Sequence, residues 1–292
     1  MKKNKRILSM IKFCEPMSRH TTFKIGGPVD MWAQPADLES LNEIINLCKQ
    51  DGVPITIIGN GSNLLVKDEG IKGCVINFDA DNFKTVKIED TYVNAGAGLI
   101  LARLLNILSN EGLTGLEFLA GIPASLGGAL AMNAGSPKNQ IGSFIEEVTV
   151  MNNKGNILKL NKKEIIFRYR GSDLDKYIVL NTKLKLEKSS KDEVSDKIRK
   201  CVTEKMEKQE LDKPSAGCIF KNPHGDSAGR LIDASGLKGT NVGDASVSAK
   251  HANFIINNGN ATCKDVLTLI DIIQKKVKKD HNILLESEIK YV

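Results

Sequence analysis

Runs of apolar and polar residues along the chain predict a mixture of helices and strands. Residues 37–51 place apolar side chains three and four positions apart, and Gly52 follows them, which predicts a helix that ends there. The mainly apolar run 55–58 comes next, and a run of this length is typical of a buried strand. Residues 37–58 are therefore predicted to form a helix, a turn and a buried strand.

Similar patterns recur further along the chain. Apolar residues on one face predict helices that begin near Leu101, at the capping box Ser190–Glu193 and at the capping box Thr262–Asp265. Residues 148–160 predict a β-hairpin, and residues 284–292 predict a final strand. Segments with the apolar spacing of helices thus alternate with segments that have the spacing of strands.

The length of the chain favours more than one hydrophobic core. A chain of 292 residues is long for a single core, so two or three domains are expected. A β-rich stretch ends with the alternating residues 180–186, and a Lys/Glu-rich helix follows residue 189. We expect this helix to open the last domain.

Composition and charge favour a folded protein that binds an anionic small molecule. Hydrophobic residues make up 41% of the chain and charged residues 26%, as in ordinary globular proteins. The net charge of +6 arises from 41 basic residues scattered among 35 acidic ones, and aromatic residues make up only 5%. Nucleic-acid binding is therefore only weakly indicated, and a phosphorylated small molecule is the expected partner.

Cysteine spacing and hydropathy favour a cytoplasmic protein. The six cysteines form no C-x-x-C pair, so neither a zinc site nor a disulfide framework is expected, and reduced thiols suit a cytosol. No apolar stretch approaches the roughly 18 to 20 residues that cross a bilayer, so no membrane insertion is expected. The basic N-terminus resembles a signal peptide, but Lys12 interrupts its apolar run.

Three glycine-rich loops, at residues 59–66, 95–98 and 121–135, indicate a ligand that carries phosphate. Backbone amides in such loops can face an anion, and three of them exceed what turns alone require. The first two lack the third glycine of the dinucleotide fingerprint, and the last lacks the Lys-Ser/Thr pair of a P-loop. A Rossmann cofactor site and a P-loop kinase are thus not favoured.

The segment 214–223 places Cys218 on a short loop between two prolines. Gly217 precedes the thiol, and Lys221 and Asn222 follow it. A thiol in this setting is either a small buried core residue or a reactive group held near a ligand. The segment alone leaves both alternatives open.

Seven sequence motifs, taken together and in order, resemble one enzyme family over nearly the whole chain. The motifs are Arg19–Gly27, Gly59–Val66, Gly121–Gly135, Tyr169–Ser172, Ser215–Pro223, Lys250–Phe254 and Glu286–Lys290. They resemble the UDP-N-acetylenolpyruvoylglucosamine reductases, the UDP-N-acetylmuramate dehydrogenases of peptidoglycan (cell wall) synthesis. The chain has no insertion between Ser172 and Ser190, and so resembles the shorter subgroup that lacks the tyrosine loop.

The resemblance implies an α+β fold and a reaction. The fold has an FAD-binding lobe of the vanillyl-alcohol-oxidase type, built from two subdomains, followed by a substrate domain whose final strand returns to the active site. We place the subdomains at 1–77 and 78–188 and the substrate domain at 189–292. The reaction is the NADPH-dependent, FAD-mediated reduction of UDP-N-acetylglucosamine enolpyruvate to UDP-N-acetylmuramate.

The resemblance also implies roles for individual residues, and it implies no metal. The expected catalytic set is Arg170, Cys218 and Glu288. The expected contacts to FAD are Thr22, Gly59, Asn60, Gly61, Ser62, Asn63, Gly121, Ile122, Pro123, Ser125, Gly127 and Gly128. The expected substrate contacts are Tyr169, Lys208, Asn222 and Arg230.

The chain departs from the commonest family pattern at Cys218, where most members carry serine. A thiol with a reference pKa of about 8.5 is mostly protonated at neutral pH and is a stronger acid than an alcohol, so we expect it to serve as proton donor. A charged Lys221 beside the thiol would oppose this by lowering its pKa. Glu286 competes with Glu288 for the role of the C-terminal acid.

Two other functions remain open at this point. The first is another FAD-dependent oxidase or reductase of the same fold with a different substrate domain. The second is a nucleotide-binding or nucleic-acid-binding protein without enzymatic activity, suggested by the basic charge and the glycine loops. His20 and His251 lie inside the motifs and are expected to be structural rather than catalytic.

Overall fold

The computed structural model describes residues 6–136 and 138–292. The first five residues, on which part of the interpretation of the N-terminus rests, lie outside this range. Among the described helices, none is both long enough and apolar enough to cross a membrane.

Helices and strands are mixed along the described chain, as the sequence predicts. The α-helices between residues 38 and 281 are α1 (Leu38–Gln50), α2 (Leu101–Asn110), α3 (Leu126–Ala131), α4 (Lys191–Lys208), α5 (Ala228–Ala234) and α6 (Cys263–His281). The strands of the first half are β1 (Ile11–Pro16), β2 (Pro28–Ala33), β3 (Ile55–Ile58), β4 (Leu64–Leu65), β5 (Ile71–Asn77), β6 (Val86–Glu89), β7 (Tyr92–Gly96), β8 (Leu113–Thr114) and β9 (Ile145–Met151). The remaining strands are β10 (Ile157–Asn161), β11 (Phe167–Arg168), β12 (Gly171–Ser172), β13 (Ile178–Lys185), β14 (Glu187–Lys188), β15 (Ser215–Cys218), β16 (Asn241–Val242), β17 (Ala245–Val247), β18 (Phe254–Asn257) and β19 (Lys290–Tyr291).

The chain divides into two compact units. Unit 1 comprises the residues up to Phe13 together with Met31–Asn60 and Gly73–Thr203. Unit 2 comprises Cys14–Asp30, Gly61–Lys72 and Glu204–Val292. Most of α4 therefore belongs to unit 1. The division at 1–77, 78–188 and 189–292 stays a prediction.

Unit 1 contains a five-stranded antiparallel sheet with the order β10-β9-β13-β7-β6. The predicted hairpin is confirmed, since β9 and β10 pair from Met151 opposite Ile157 to Glu147 opposite Asn161. A second, four-stranded sheet has the order β1-β2-β5-β3, and β3 runs parallel to β5. The predicted strand at 55–58 is confirmed as β3.

The helices of unit 1 bury one face each, as their spacing predicts. α1 buries Leu41, Ile44, Ile45 and Cys48, and α2 buries Leu101, Leu104, Leu105 and Leu108. These residues belong to one hydrophobic core with the inner faces of the strands. Burial of each large aliphatic side chain stabilises the fold by about 1.5–3 kcal/mol.

Unit 2 has its own core around the sheet β15-β18-β17-β16. α6 begins at the predicted capping box, in which the Asp265 amide donates to Thr262 Oγ1 at 3.1 Å and the Thr262 amide donates to the Asp265 carboxylate at 2.9 Å. The predicted final strand over 284–292 is wrong except at β19. Within residues 284–289, only Ser287 forms a β-bridge, and its partner is Phe220. Residues 284–289 therefore follow an irregular path.

Candidate active site

Two of the predicted cofactor loops lie against each other in unit 1. An added Cβ at Gly59 would lie 2.1 Å from Ser125 Oγ, so the approach requires glycine. The Asn60 side-chain amide donates to the Pro123 carbonyl oxygen at 2.7 Å. At the end of β5, the Asn77 side-chain amide donates to the Gly59 carbonyl oxygen at 2.8 Å. The fold thus brings together loops that are distant in sequence.

The turn before α3 has a defined backbone path. Gly121 takes a positive φ of +78°, a conformation that favours glycine. The Ile122 amide donates to the Leu119 carbonyl oxygen at 3.1 Å, and the Ala124 amide donates to the Ile122 carbonyl oxygen at 2.9 Å. The second bond closes a three-residue turn around Pro123.

Gly127 and Gly128 use their backbone amides within unit 1. The Gly127 amide donates to the Ala97 carbonyl oxygen at 2.8 Å, and the Gly128 amide donates to the Ser125 hydroxyl at 3.3 Å. A Cβ at Gly127 would lie 3.0 Å from Ala97 Cβ, so the glycine-rich loop 95–98 packs against the start of α3. These bonds hold α3 in place, and contact of the two glycines with a cofactor stays a prediction.

Other backbone amides of the loops suit an anion. Within residues 6–136 and 138–292, the successive amides of Asn60, Gly61 and Ser62 donate no hydrogen bond. Successive amides of this kind form concave sites for anions. The FAD diphosphate carries oxygens that accept such bonds, so the donor set fits this cofactor.

In unit 2, Gly61 and Thr22 pack closely. Gly61 has φ +63°, and a Cβ there would lie 2.1 Å from the His20 carbonyl oxygen. The Thr22 amide donates to the Gly61 carbonyl oxygen at 3.2 Å. The Thr22 hydroxyl donates to the Ser215 carbonyl oxygen at 2.7 Å. Thr22 therefore joins its loop to the first residue of β15.

Cys218 lies at the end of β15, where the strand bulges. The pairs Ser215–Ile256 and Cys218–Phe254 are registered against β18 with an irregularity between them. Gly217 lies in this bulge with φ +73°, and apart from its chain neighbours no described atom lies within 4 Å of the position of a Cβ there. The Cys218 side chain is half-buried. The thiol is therefore not sealed in the core.

Glu288 lies on the segment next to Cys218 in unit 2. Its backbone amide donates to the carbonyl oxygen of Ile219 at 2.7 Å. The Asn63 side-chain amide donates to the Glu288 carbonyl oxygen at 3.2 Å, and Lys290 N donates to Asn63 O at 2.9 Å. The structure thus brings together two predicted catalytic residues and one predicted cofactor contact.

Lys221 and Glu286 form an ion pair. Lys221 Nζ lies 3.4 Å from Glu286 Oε2, and the Glu286 side chain is 77% exposed. The Lys221 amide also donates to the Glu286 carbonyl oxygen at 2.8 Å. Glu286 is exposed whereas Glu288 is half-buried, so Glu288 stays the predicted C-terminal acid. The carboxylate of Glu286 also offsets the charge of Lys221.

Arg170 lies in unit 1, in the turn between β11 and β12. It has φ +58°, which is uncommon for a residue with a side chain and is often found at functional sites. Arg170 Nη1 donates to the Gly135 carbonyl oxygen at 2.5 Å, and the guanidinium lies 5.4 Å from the centre of the Tyr169 ring. The Ser172 hydroxyl donates to the carbonyl oxygens of Leu130 and Ala131 at 3.0 and 3.1 Å.

Two of the predicted substrate contacts have partners within unit 2. Asn222 Oδ1 accepts from the Ala228 amide at 3.0 Å, at the start of α5. Arg230 forms a bidentate ion pair with Asp226, in which Nε donates to Oδ1 at 2.7 Å. This pair lowers the pKa of Asp226 to about 2. Lys208 is exposed at the end of α4.

Both histidines of the motifs have structural partners. His20 Nε2 lies 2.9 Å from Glu15 Oε1. His251 Nδ1 accepts from the Asn253 amide at 3.2 Å, and burial holds the pKa of His251 below its ordinary value. These contacts agree with structural roles.

Sequence reasoning gave no role to two buried asparagines. Asn253 bonds both backbone groups of Phe220 through its side chain. Asn133 accepts from the Gly142 amide at 3.1 Å and donates to the Arg168 carbonyl oxygen at 3.0 Å. Asn133 lies in the motif Gly121–Gly135 and Asn253 in the motif Lys250–Phe254. Membership of these motifs is the only sign in the sequence that the two side chains have a role.

Comparison with known proteins defines the family. The model of the UDP-N-acetylenolpyruvoylglucosamine reductase C-terminal domain matches residues 209–292, and an FAD-binding domain model matches residues 29–161. The chain is 44% identical to the UDP-N-acetylenolpyruvoylglucosamine reductase of Clostridium novyi over 278 residues, which are 94% of this chain and 90% of that protein. The chain belongs to the UDP-N-acetylenolpyruvoylglucosamine reductase family.

Other family members give the same result. The Caldanaerobacter subterraneus reductase is 45% identical over 280 residues, which are 95% of this chain and 92% of that protein. The crystal structure of the Thermus caldophilus reductase superposes with a TM-score of 0.82 at 36% identity, covering 96% of this chain and 97% of that one. The predicted family and α+β fold class are thereby confirmed. The FAD-binding domain model agrees with the predicted cofactor.

Proposed function

We propose that this chain reduces UDP-N-acetylglucosamine enolpyruvate to UDP-N-acetylmuramate, with NADPH as reductant and FAD as cofactor, in peptidoglycan synthesis. It is an FAD-dependent oxidoreductase that acts on a carbon–carbon double bond. Family membership supports the reaction class. The observation that carries the residue assignment is the placement of Cys218 and Glu288 on neighbouring segments joined by the Glu288 N to Ile219 O bond of 2.7 Å.

The cofactor diphosphate would be held by the loop amides. The successive amides of Asn60, Gly61 and Ser62, which donate no bond within the described residues, are the proposed donors. When bound, FAD that has been reduced by NADPH supplies a hydride to the vinyl carbon remote from the carboxylate. All remaining tasks in the reaction fall to the side chains of the protein.

Cys218 is the proposed proton donor. Addition of hydride at the terminal carbon leaves negative charge on the neighbouring carbon and its carboxylate. The S–H bond of Cys218 breaks as its proton forms a C–H bond at that neighbouring carbon, and solvent later returns a proton to the thiolate. The thiol is half-buried, which suits a group that must meet both substrate and solvent.

Arg170 and Glu288 are the proposed stabilisers of the developing charge. A guanidinium stays charged at all working pH values and matches the planar geometry of a carboxylate. Arg170 is held by the Gly135 carbonyl oxygen at 2.5 Å, so its side chain is positioned before substrate arrives. Glu288 is the proposed acid that shares the stabilisation of the enolate.

The remaining contacts and the location of the protein are proposals of the same kind. Tyr169, Lys208, Asn222 and Arg230 are the proposed contacts to the UDP-sugar. Lys208 is exposed, whereas Arg230 would first have to leave Asp226. We further propose that the protein acts in the cytoplasm, where cysteine thiols stay reduced. No nucleic acid is expected among its partners.

The half-reactions test this function. The purified protein should show a flavin spectrum that bleaches with NADPH and returns when the enolpyruvyl sugar is added without oxygen. Rapid transfer of electrons to oxygen and none to the enolpyruvyl sugar would show that the chain is a different flavoprotein. A colourless protein that binds no FAD would exclude both reductase and oxidase.

Substitution of Cys218 tests the proton donor. Cys218→Ser should keep substantial turnover, because a hydroxyl can also deliver the proton. Cys218→Ala should bleach normally with NADPH but fail to reduce the sugar. Cys201→Ala, which removes a half-buried thiol from α4, is the matched control and should behave as wild type. Normal sugar reduction by Cys218→Ala would exclude the proposed role.

A further inference from the structure

The side chain of Asn253 binds the backbone of Phe220 at two points. Asn253 Oδ1 accepts from the Phe220 amide at 3.0 Å, and Asn253 Nδ2 donates to the Phe220 carbonyl oxygen at 2.8 Å. Asn253 is 2% exposed and Phe220 is 1% exposed. Both bonds are thus shielded from water, and each strongly favours one geometry.

The two bonds extend the sheet past the end of β15. Cys218 is the last residue of that strand, and the Ile219 amide then donates to the Asn253 carbonyl oxygen at 2.9 Å. At Phe220 the Asn253 side chain takes the place that a neighbouring strand would have. Asn253 therefore holds two successive residues directly after the thiol.

The other side of the same segment holds the acid. The Ile219 carbonyl oxygen accepts from the Glu288 amide at 2.7 Å, and Phe220 forms a β-bridge with Ser287. The residues after Cys218 thus lie between Asn253 on one side and the segment of Glu288 on the other. A shift of this segment would move the thiol and the carboxylate relative to each other.

On the other side of Cys218, toward the N-terminus, the strand bulges at a glycine. Gly217 has φ +73°, and apart from its chain neighbours no described atom lies within 4 Å of the position of its missing Cβ. Glycine also permits the widest range of backbone conformations. The position of Cys218 consequently depends on its pairing with Phe254 and on the residues that follow it.

We propose that Asn253 is a positioning residue for the sugar-reducing step. By binding both backbone groups of Phe220, it fixes the thiol of Cys218 against the carboxylate of Glu288. The side-chain hydrogen bonds of Asn253 go to the backbone of Phe220. The inference rests on the proposed function of the two residues that it positions.

With aspartate at position 253, the hydrogen bond to the Phe220 carbonyl oxygen would depend on the protonation of the carboxyl group. Ionised aspartate still accepts from the Phe220 amide, but its second oxygen faces the Phe220 carbonyl oxygen instead of donating to it. A protonated carboxyl can again donate there, as the amide does. Burial raises the pKa of a carboxyl, so Asn253→Asp should regain the contact as the pH falls.

Other titratable groups surround this position and must be taken into account. They are Cys218, His251, Glu288, the Lys221–Glu286 pair, and the Asp226–Arg230 pair near α5, whose Gly229 lies close to Asn253. The wild type carries the same groups. Rates of the variant are therefore divided by wild-type rates at the same pH.

Asn257 offers a matched control on the same strand. It is 4% exposed, its Oδ1 accepts from the amides of Gly259 and Ala261, and its Nδ2 donates to the Phe23 carbonyl oxygen at 3.1 Å. Asn257→Asp also keeps acceptor bonds and loses a donor. It does so away from Phe220, so it measures the effect of a buried aspartate in β18 alone.

The test measures the two half-reactions of the FAD-bound enzyme by stopped flow. At about pH 8, Asn253→Asp should reduce the sugar about tenfold or more slowly than wild type, with bleaching by NADPH unchanged. The deficit should shrink to about threefold or less near pH 5.5, as the carboxyl protonates. Asn257→Asp should show neither the deficit nor its recovery.

A second measurement needs no turnover. Alkylation of Cys218 by iodoacetamide, followed by mass spectrometry of the substrate-free enzyme, should change its rate at least threefold or so in Asn253→Asp and stay constant in Asn257→Asp. If Asn253→Asp does not fold, Asn253→Ser, which keeps one hydrogen-bonding group, replaces it in both assays. This variant should show the same deficit and the same change in alkylation, without the recovery at low pH.

The outcomes separate the two proposals. Equal deficits in the two aspartate variants, or a deficit in Asn253→Asp that does not change with pH and leaves alkylation unaltered, would overturn the positioning role. Failure of the wild type to reduce the sugar, or full activity of Cys218→Ala, would instead overturn the proposed function. Alkylation of Cys218 reports on its position in either case.

Discussion

The stability lost when Gly61 of the proposed cofactor loop is replaced by alanine can be compared with the loss at a matched glycine, Gly52. Gly61 has φ +63° and Gly52, at the end of α1, has φ +65°. Alanine in this left-handed conformation costs about 1 kcal/mol at either position. Apart from its chain neighbours, a Cβ at Gly52 would meet no described atom within 4 Å, whereas a Cβ at Gly61 would lie 2.1 Å from His20 O and 2.9 Å from Thr21 Cα.

The difference in free space sets the expected magnitude. Two backbone atoms must move to admit a methyl group at position 61, and overpacking of this kind costs about 1–3 kcal/mol more. Gly61→Ala should therefore lose about 2–4 kcal/mol and Gly52→Ala about 1 kcal/mol. At about 2–4 °C per kcal/mol, Gly61→Ala should melt several degrees below Gly52→Ala.

The assay is thermal unfolding of the two alanine variants without FAD and with added FAD. Because Asn60, Gly61 and Ser62 carry the proposed donors to the diphosphate, Gly61→Ala should also bind FAD more weakly in a fluorescence titration. Added FAD should then raise its Tm less than that of Gly52→Ala. Equal melting temperatures, or undiminished affinity for FAD in Gly61→Ala, would refute this reasoning.

Two further predictions concern charges and caps in unit 2. Arg230→Gln should raise the pKa of Asp226 from about 2 toward the ordinary 3.8, because the bidentate pair is the main cause of the shift. In the wild type, the contribution of Asp226 to stability is present above pH 3.8 and is lost as the pH falls through about 2. A carboxyl carbon NMR titration checks the pKa, and an unchanged value in Arg230→Gln would contradict the assignment. Thr262→Ala removes the side-chain acceptor at the start of α6 and should lower the free energy of unfolding by about 1 kcal/mol in a urea titration, whereas Thr262→Ser should restore it.

Local sequence predicted many elements because neighbouring residues decide them. α1, β3 and the β9–β10 hairpin follow from apolar spacing, and α6 begins at the capping box that its first residues encode. The final stretch is different. Its alternating residues predict a strand over 284–292, but the partner is the irregular segment at Phe220, so pairing is limited to a bridge before β19.

Domain membership also depended on long-range pairing. Residues 61–72 belong to unit 2 because β4 runs parallel to β19, with Leu64 opposite Lys290. Partners separated by so many residues leave no mark in the local pattern of either segment. The predicted boundaries near 77 and 188 rest on local composition and stay untested.

The sequence by itself determined the family, the glycine loops and the identity of the thiol. Order and content of the motifs are properties of the chain, and they sufficed to point to Cys218, Glu288 and Arg170. Only the tertiary structure decided what holds these residues. The contact of Asn253 with Phe220 joins groups 33 positions apart, and the approach of Gly59 to Ser125 joins two separate loops. Such contacts arise from the packing of distant segments, and a hydrogen bond exists only once the fold has brought its donor and acceptor together.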